Sequence, residues 1–159
     1  MPKELQRQNS LLIVGDGEER DALQQIAHSL DIPNVVFAGE RRHTMLAQCY
    51  AAADVFVHPS LVDVWGLVVN EAMASGLPVL TSCYAGAGPG LVAGSGAGEV
   101  FDPLDAPTFT ALLKHWCATA GTIPRLVSQR AVADTNFTVT VDAFRNVISR
   151  YAKCRKHPR

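Results

Sequence analysis

Two acids are placed where they could hold a ligand. Asp63 and Glu71 are separated by seven residues in Asp63-Val-Trp-Gly-Leu-Val-Val-Asn-Glu71, which follows Ala53-Asp-Val-Phe-Val-His-Pro-Ser60. If a helix starts near Leu67, Asp63 lies in the loop before it and Glu71 about one turn inside it. Both are then near the end where unpaired N–H groups point outward with partial positive charge. The result is an anion site flanked by two carboxylates that accept from hydroxyls. Each acid also has an ordinary reading, one in a surface loop and one tolerated near a helix start. Glu71 speaks against it, because a carboxylate inside Leu67-Val-Val-Asn-Glu-Ala-Met-Ala74 is costly without a partner, and a ligand hydroxyl would serve.

Other reactive groups gather around the same stretch. His58 closes an apolar run and is followed by Pro59 and Ser60; a general base is conceivable, but no nucleophile and orienting acid can be assigned to it, so a structural or lining role is favoured. Trp65, beside Gly66, either stacks on a sugar or base or packs under the loop. Gly15-x-Gly17 follows a strand pattern and precedes a helix pattern, with Glu40 near the place of a ribose-binding acid. Arg20 stands where a dinucleotide loop needs its third glycine, so an ordinary turn is favoured over a nicotinamide site and an oxidoreductase domain. A Walker loop is excluded, since no Gly-Lys-Ser/Thr occurs. The four cysteines stand singly, without zinc spacing, and read as reduced thiols; no metal or cofactor is called for.

The elements that carry these residues alternate. Leu11–Val14 reads as a buried parallel strand, and Glu18 to Leu30 as a helix with Leu23, Ile26, Ala27 and Leu30 on its apolar face. Val35–Ala38 is a second strand, Thr44 to Ala52 a helix, and Asp54–Val57 a third strand. After the central helix come a strand over Pro78–Thr81, a Gly/Ala/Pro-rich loop from Tyr84 to Gly90, a weak strand over Ala97–Phe101 and a helix capped by Asp105. Pro124 to Asp134 and Thr138 to Lys153 read as two more helices, the last with Val141, Phe144, Val147, Ile148 and Tyr151 on its buried stripe. The pattern predicts an α/β fold, a doubly wound and mostly parallel sheet with helices on both faces. Ligands bind such sheets beyond the carboxyl ends of the strands, where the loops after Val14, Ala38, Val57 and Thr81 should meet.

The 159 residues suit one domain, with a polar lead-in over residues 1–10, a folded part over 11–153 and a basic tail over 154–159. Composition is that of a soluble globular protein, with no long apolar run and no leader pattern, so a cytoplasmic chain is expected. A net charge of −1 gives no field for nucleic acid; the basic tail leaves weak contact with a membrane surface open. Between Arg42 and Lys114 there is no Lys or Arg, so a phosphate at the central motif must rely on backbone N–H groups, a helix dipole, a metal or cations from elsewhere.

Taken together, Val14-Gly-Asp-Gly-Glu-Glu-Arg20, Asn34-Val-Val-Phe-Ala-Gly39, Tyr50 to Ser60, the Asp63-to-Glu71 motif with Ala72-Met-Ala-Ser-Gly-Leu-Pro78, and Phe101-Asp-Pro103 resemble the donor-binding C-terminal domain of retaining GT-B glycosyltransferases. The group resembled is the "glycosyl transferases group 1" family, and the likeness runs from about Leu11 to Tyr151. It implies a Rossmann-like fold and a hexosyltransferase that moves a sugar from a nucleoside diphosphate to a hydroxyl, with retention. By that resemblance Asp63 binds hydroxyls of the donor sugar, with Trp65, Gly66 and Leu67 alongside, while Val68 and Glu71 meet the diphosphate and ribose. Ala38, Gly39 and Glu40 would border the base. Gly15, His58, Ser60, Gly86 and Gly88 would line the site.

Three departures from the family pattern matter. The first acid is Asp63 where the family usually has Glu, Gly90 stands where it commonly has an acid, and the Arg and Lys that clamp the diphosphate belong to a segment ahead of Leu11 that is not in this sequence. The resemblance therefore implies part of a larger enzyme, which needs an N-terminal acceptor domain or a separate subunit and is inactive alone. A non-catalytic remnant or partner subunit is the rival expectation.

Overall fold

A computed structural model describes residues 2–119, 122, 124–135, 141, 142 and 145. In chain order the elements are α1 (Lys3–Gln8), β1 (Leu11–Val14), α2 (Arg20–Ser29), β2 (Val35–Gly39), α3 (His43–Ala52), β3 (Phe56–His58), α4 (Leu67–Ala74) and β4 (Val79–Ser82). A π-helical turn over Gly88–Val92 leads to β5 (Gly98–Phe101), α5 (Ala106–Thr119), α6 (Arg125–Val132) and a 3-10 turn, Ala133–Thr135. Of the expected helix over Thr138 to Lys153 only residues 141, 142 and 145 are described, all three of them helical; the rest of it and the basic tail lie outside the described residues.

Among the described residues every strand pairing is parallel, which requires crossover connections such as those made here through helices. The strands form two sheets, β1–β2 and β3–β4–β5, so the alternation that predicts one continuous sheet yields two parallel pieces of the same α/β class. The polar lead-in contains a short helix, α1, tied down by Asn34, whose Nδ2 donates to the Arg7 carbonyl at 3.0 Å.

The core sits on the second sheet. β4 has a strand on each side and all four residues of Val79-Leu-Thr-Ser82 are buried, Thr81 and Ser82 included, as befits a strand covered on both faces. One face of the sheet is closed by Val69, Ala72 and Met73 of α4 with Leu77, Val79, Leu91 and Val92; α6 adds Val127 and Ala131. The other face joins Leu80 and Phe101 to Trp116, Phe109 and Leu112 of α5. Trp116 settles its indole N–H on Glu99 at 2.9 Å. Gly98, at φ +158, follows the chain so closely past Val79 that a Cβ there would collide with the Val79 backbone. This placement fixes β4 firmly, and the loops that leave β3 and β4 inherit that rigidity.

The predicted apolar face of α2 is present but uncovered. Leu23, Ile26 and Leu30 are all exposed, and α2 has no buried residue.

Candidate functional site

The loop after β3 is built from its own backbone and one carboxylate. Asp63 pairs with Ala85 as an isolated parallel bridge, its N–H donating to the Tyr84 carbonyl at 3.3 Å and its carbonyl accepting from Gly86 at 3.3 Å. Ala87 N–H donates to the Trp65 carbonyl at 2.8 Å, so the loops after β3 and β4 are stitched together. Within this frame Asp63 Oδ1 accepts the Trp65 backbone N–H at 3.1 Å, and Oδ2 lies 3.1 Å from His58 Nε2. Gly66 then turns into α4 at φ +90, a left-handed conformation that glycine adopts without strain. A Cβ on Gly66 would stand 3.3 Å from His58 Nε2 and 3.5 Å from Asp63 Oδ2, so the glycine also lets the chain lie directly on that pair. α4 begins at Leu67, as the sequence predicts, and no side chain caps its first turn.

Glu71 corrects one step of the sequence argument. Its apolar neighbours Val69, Ala72 and Met73 turn into the core, while Glu71 itself is exposed, so its carboxylate bears no burial cost. Its partner is protein: Tyr50 of α3 donates its hydroxyl to Glu71 Oε2 at 2.9 Å. Burial first, and then the Glu71 carboxylate, hold the Tyr50 hydroxyl well above its ordinary pKa, so it remains a donor at every physiological pH.

Trp65 belongs to the loop more than to the solvent. Its indole N–H donates to Asn70 Oδ1 at 2.7 Å, and Asn70 Nδ2 donates to Thr135 Oγ1 at 3.0 Å, which ties the loop to the turn after α6. The ring rests on the loop that follows β4: a Cβ at Gly86 or at Gly90 would meet it at 3.3 Å. The large ring and the two glycines are complementary in volume, a physical reason for glycine at position 90.

The remaining expected lining residues divide. Ser60 turns its hydroxyl onto the Val62 carbonyl at 3.1 Å, inside its own loop. Gly88 is buried against β4, where a Cβ would lie 2.7 Å from the Ser82 carbonyl, so close backbone packing accounts for it. Gly15 and Gly39 meet at the ends of β1 and β2 through a 2.9 Å backbone bond, with Ala38 half-buried beside them. A Cβ on Gly15 would meet nothing within 4 Å, whereas one on Gly39 would stand 3.2 Å from the Arg20 guanidinium. Glu40 is exposed and accepts from Arg42 at 2.7 Å. Among the described residues, no hydrogen bond or ion pair joins this group to the Asp63 group, and no cluster of three His, Cys, Asp or Glu side chains is placed to hold a metal. Cys83 is exposed and Cys49 and Cys117 are half-buried free thiols; Cys154 lies outside the described residues. No described helix is long and apolar enough to cross a membrane.

A helix start with uncapped amides, an acid ahead of it and an acid one turn in can hold a polyhydroxylated anion. The family profile described as "Glycosyl transferases group 1" matches residues 1–122. The chain belongs to that family. A GDP-mannose-dependent alpha-mannosyltransferase of Mycolicibacterium smegmatis is 39% identical over 120 residues, which is 76% of this chain and 28% of the relative. The sucrose-phosphate synthase of Thermosynechococcus elongatus superposes with a TM-score of 0.75 at 26% identity, covering 95% of this chain and 42% of that one. HepE of Anabaena, solved in complex with UDP and glucose, gives 0.70 at 25% identity over 88% of this chain and 40% of its own. The chain thus spans 28% of the mannosyltransferase and about two-fifths of the two solved structures, all of them longer proteins. The neighbours also carry the Rossmann-like half of a GT-B fold, in agreement with the parallel sheets seen here. With the family shown, the oxidoreductase reading of the Gly15 turn has no remaining support.

Proposed function

We propose that this chain is the donor-binding domain of a retaining glycosyltransferase, which receives a nucleoside-diphosphate sugar at the start of α4 and serves transfer of a hexose to a hydroxyl acceptor. The observation that carries the reading is the Asp63–Gly66–Glu71 arrangement, two acids bracketing a helix start whose first amides have no capping side chain. A carboxylate offers about four acceptor positions. Asp63 uses two on His58 and Trp65, which leaves room for sugar hydroxyls; Glu71 uses one on Tyr50 and meets the ribose with the rest. Trp65 to Val68 approach the sugar and diphosphate through backbone N–H groups, and Ala38, Gly39 and Glu40 border the base. HepE, a structural neighbour solved with UDP and glucose, supports a uridine ligand here, while the mannosyltransferase supports a guanosine one.

The chain alone does not complete transfer. Departure of a nucleoside diphosphate needs its developing charge stabilised. No Lys or Arg occurs between Arg42 and Lys114, and Arg42 is engaged by Glu40. The clamp and the acceptor side come from a further segment, domain or subunit. Location in the cytoplasm, where nucleotide sugars are made, fits the reading.

Calorimetric titration with UDP, GDP, UDP-glucose and GDP-mannose tests it. Binding is expected, with Glu71→Ala weakening every ligand by about tenfold, the weight of one charge-assisted hydrogen bond. Equal binding by both proteins removes Glu71 from the site. No binding and no thermal shift at millimolar ligand favours a non-catalytic remnant, in which α4 persists because Val69, Ala72 and Met73 are core. Robust sugar transfer by the isolated chain overturns the claim of inactivity.

A further inference from the structure

We infer that His58 is a positioning residue for Asp63: its ring donates a hydrogen bond that fixes the carboxylate, and through it the Trp65–Gly66 turn, in the conformation that receives the donor sugar. The inference rests on the proposed donor site in one respect, that Asp63 meets a sugar hydroxyl.

The geometry points one way. His58 is the last residue of β3, paired in register with Thr81 of the fully buried β4, so its backbone is held by the most rigid part of the molecule. Its side chain is 16% exposed and stacks parallel to Phe56, with ring centroids 6.3 Å apart, which limits where the imidazole can turn. Nε2 reaches Asp63 Oδ2 at 3.1 Å across the four intervening residues. An ionised carboxylate only accepts, so the proton of this bond sits on Nε2. The other oxygen, Oδ1, takes the Trp65 N–H. Asp63 is therefore held from both sides, by the strand through His58 and by the turn through Trp65, and Gly66 lies directly on the pair.

This arrangement answers a question posed by the length of the side chain. An acid one methylene shorter than Glu has fewer rotatable bonds but also less reach, and it serves a ligand only if the loop brings it to the right place. The His58 bond removes the remaining freedom of the carboxylate before the ligand arrives, and pre-organisation of this kind raises affinity by lowering the ordering cost of binding. The effect falls on the sugar and spares the nucleotide, because Glu71 and the α4 amides are supported separately, Glu71 by Tyr50 of α3.

The test compares His58→Phe, His58→Asn and His58→Gln in the full chain. Gln carries an amide nitrogen at a distance resembling Nε2 and can rebuild the bond; Phe keeps the ring without a donor; Asn is polar but too short. UDP-glucose and GDP-mannose affinities are measured beside those of UDP and GDP. Phe and Asn should weaken both sugar nucleotides by about tenfold, leave both plain nucleotides within about twofold, and Gln should restore the loss. Acrylamide quenching supplies a readout that needs no ligand. Of the two tryptophans, Trp116 is buried and Trp65 is reached by quencher, so loosening the turn should raise quenching in Phe and Asn and return it to the starting value in Gln. Unchanged quenching in Phe and Asn overturns the inference. So does equal loss of nucleotide and sugar-nucleotide affinity, or failure of Gln to restore either readout. If the unaltered chain binds no nucleotide, the donor reading fails, while quenching still decides whether His58 holds the turn.

Discussion

The first and second sheets each contain a strand–helix–strand unit, and the two units end in different environments. In the unit β1–α2–β2, Leu11 is 53% exposed, Ile26 51% and Leu30 61%. In β3–α4–β4, Val69, Met73, Val79 and Leu80 are all at 0%. Part of the difference is in the helices, since LVVNEAMA of α4 is far more apolar than RDALQQIAHS of α2, and part lies in what flanks each unit. Among the described residues β1 pairs with β2 alone, whereas β4 lies between β3 and β5 and is covered by α4 on one face and by α5 on the other. Apolar periodicity marks the face a helix would bury, and neighbouring elements decide whether it is buried. A site hung from β3 and β4 is accordingly held by packing; one hung from β1 and β2 depends on local hydrogen bonds such as Gly15 to Gly39.

The largest effect expected from this contrast is on stability. Met73→Ala or Leu80→Ala empties a fully buried position and should cost about 2–5 kcal/mol in urea unfolding. Ile26→Ala removes a similar side chain from an exposed face and should cost well under about 1 kcal/mol. Comparable losses at the two places would break the comparison, because they would require α2 to be covered.

Legibility in the sequence follows the same division. The start of α4 at Leu67, the strand over Leu11–Val14, a strand expected over Pro78–Thr81 and found one residue on at Val79–Ser82, and the parallel α/β class follow from local patterns, because each is set by residues adjacent in the chain. The division into two sheets does not, since strand partners are chosen by distant segments. At the site, the Asp63–Glu71 spacing and the helix start were legible, but their partners were not. No orienting acid for His58 is assigned from the sequence, yet Asp63 lies only five residues on, and Pro59, which ends the strand directly after His58, is the available signal. Tyr50 is 21 residues from Glu71 and gave no local sign. Gly90 was without a role until the Trp65 ring was seen against it.

A smaller effect sharpens the link between α3 and the second sheet. Tyr50→Phe keeps the edge contact with Phe56, with centroids 5.7 Å apart, and removes only the bond to Glu71, so a loss of about 1 kcal/mol is expected. The pH dependence has a definite sign. The folded-state pKa of Tyr50 is raised above the unfolded value near 10, by burial first and by Glu71 second. Its contribution is therefore whole below about pH 10 and lost as pH rises further toward the folded value. Urea midpoints of the unaltered chain and of Tyr50→Phe should converge above pH 10; a constant difference across that range would separate Tyr50 from the ionisation.

The smallest effect concerns α5, which covers the second face. Asp105 accepts at its start from the Thr108 N–H at 3.1 Å and from the Thr108 hydroxyl at 2.6 Å, and these bonds lower its pKa. The sign is opposite to that of Tyr50. A carboxylate whose folded pKa is depressed stabilises the fold above its unfolded pKa, near 4, and that contribution fades as pH falls through the folded value. Asp105→Ala should lower the thermal midpoint at neutral pH slightly, and the gap should close in acid as the unaltered protein loses the same bonds. Because α5 lays Phe109, Leu112 and Trp116 on Leu80 and Phe101, fraying there should reach the second sheet and leave β1–β2 unaffected. Hydrogen exchange distinguishes the cases: faster exchange at Leu80 and Phe101 with none at Ile13 supports the division, and an equal change at both would show the two sheets unfolding as one unit.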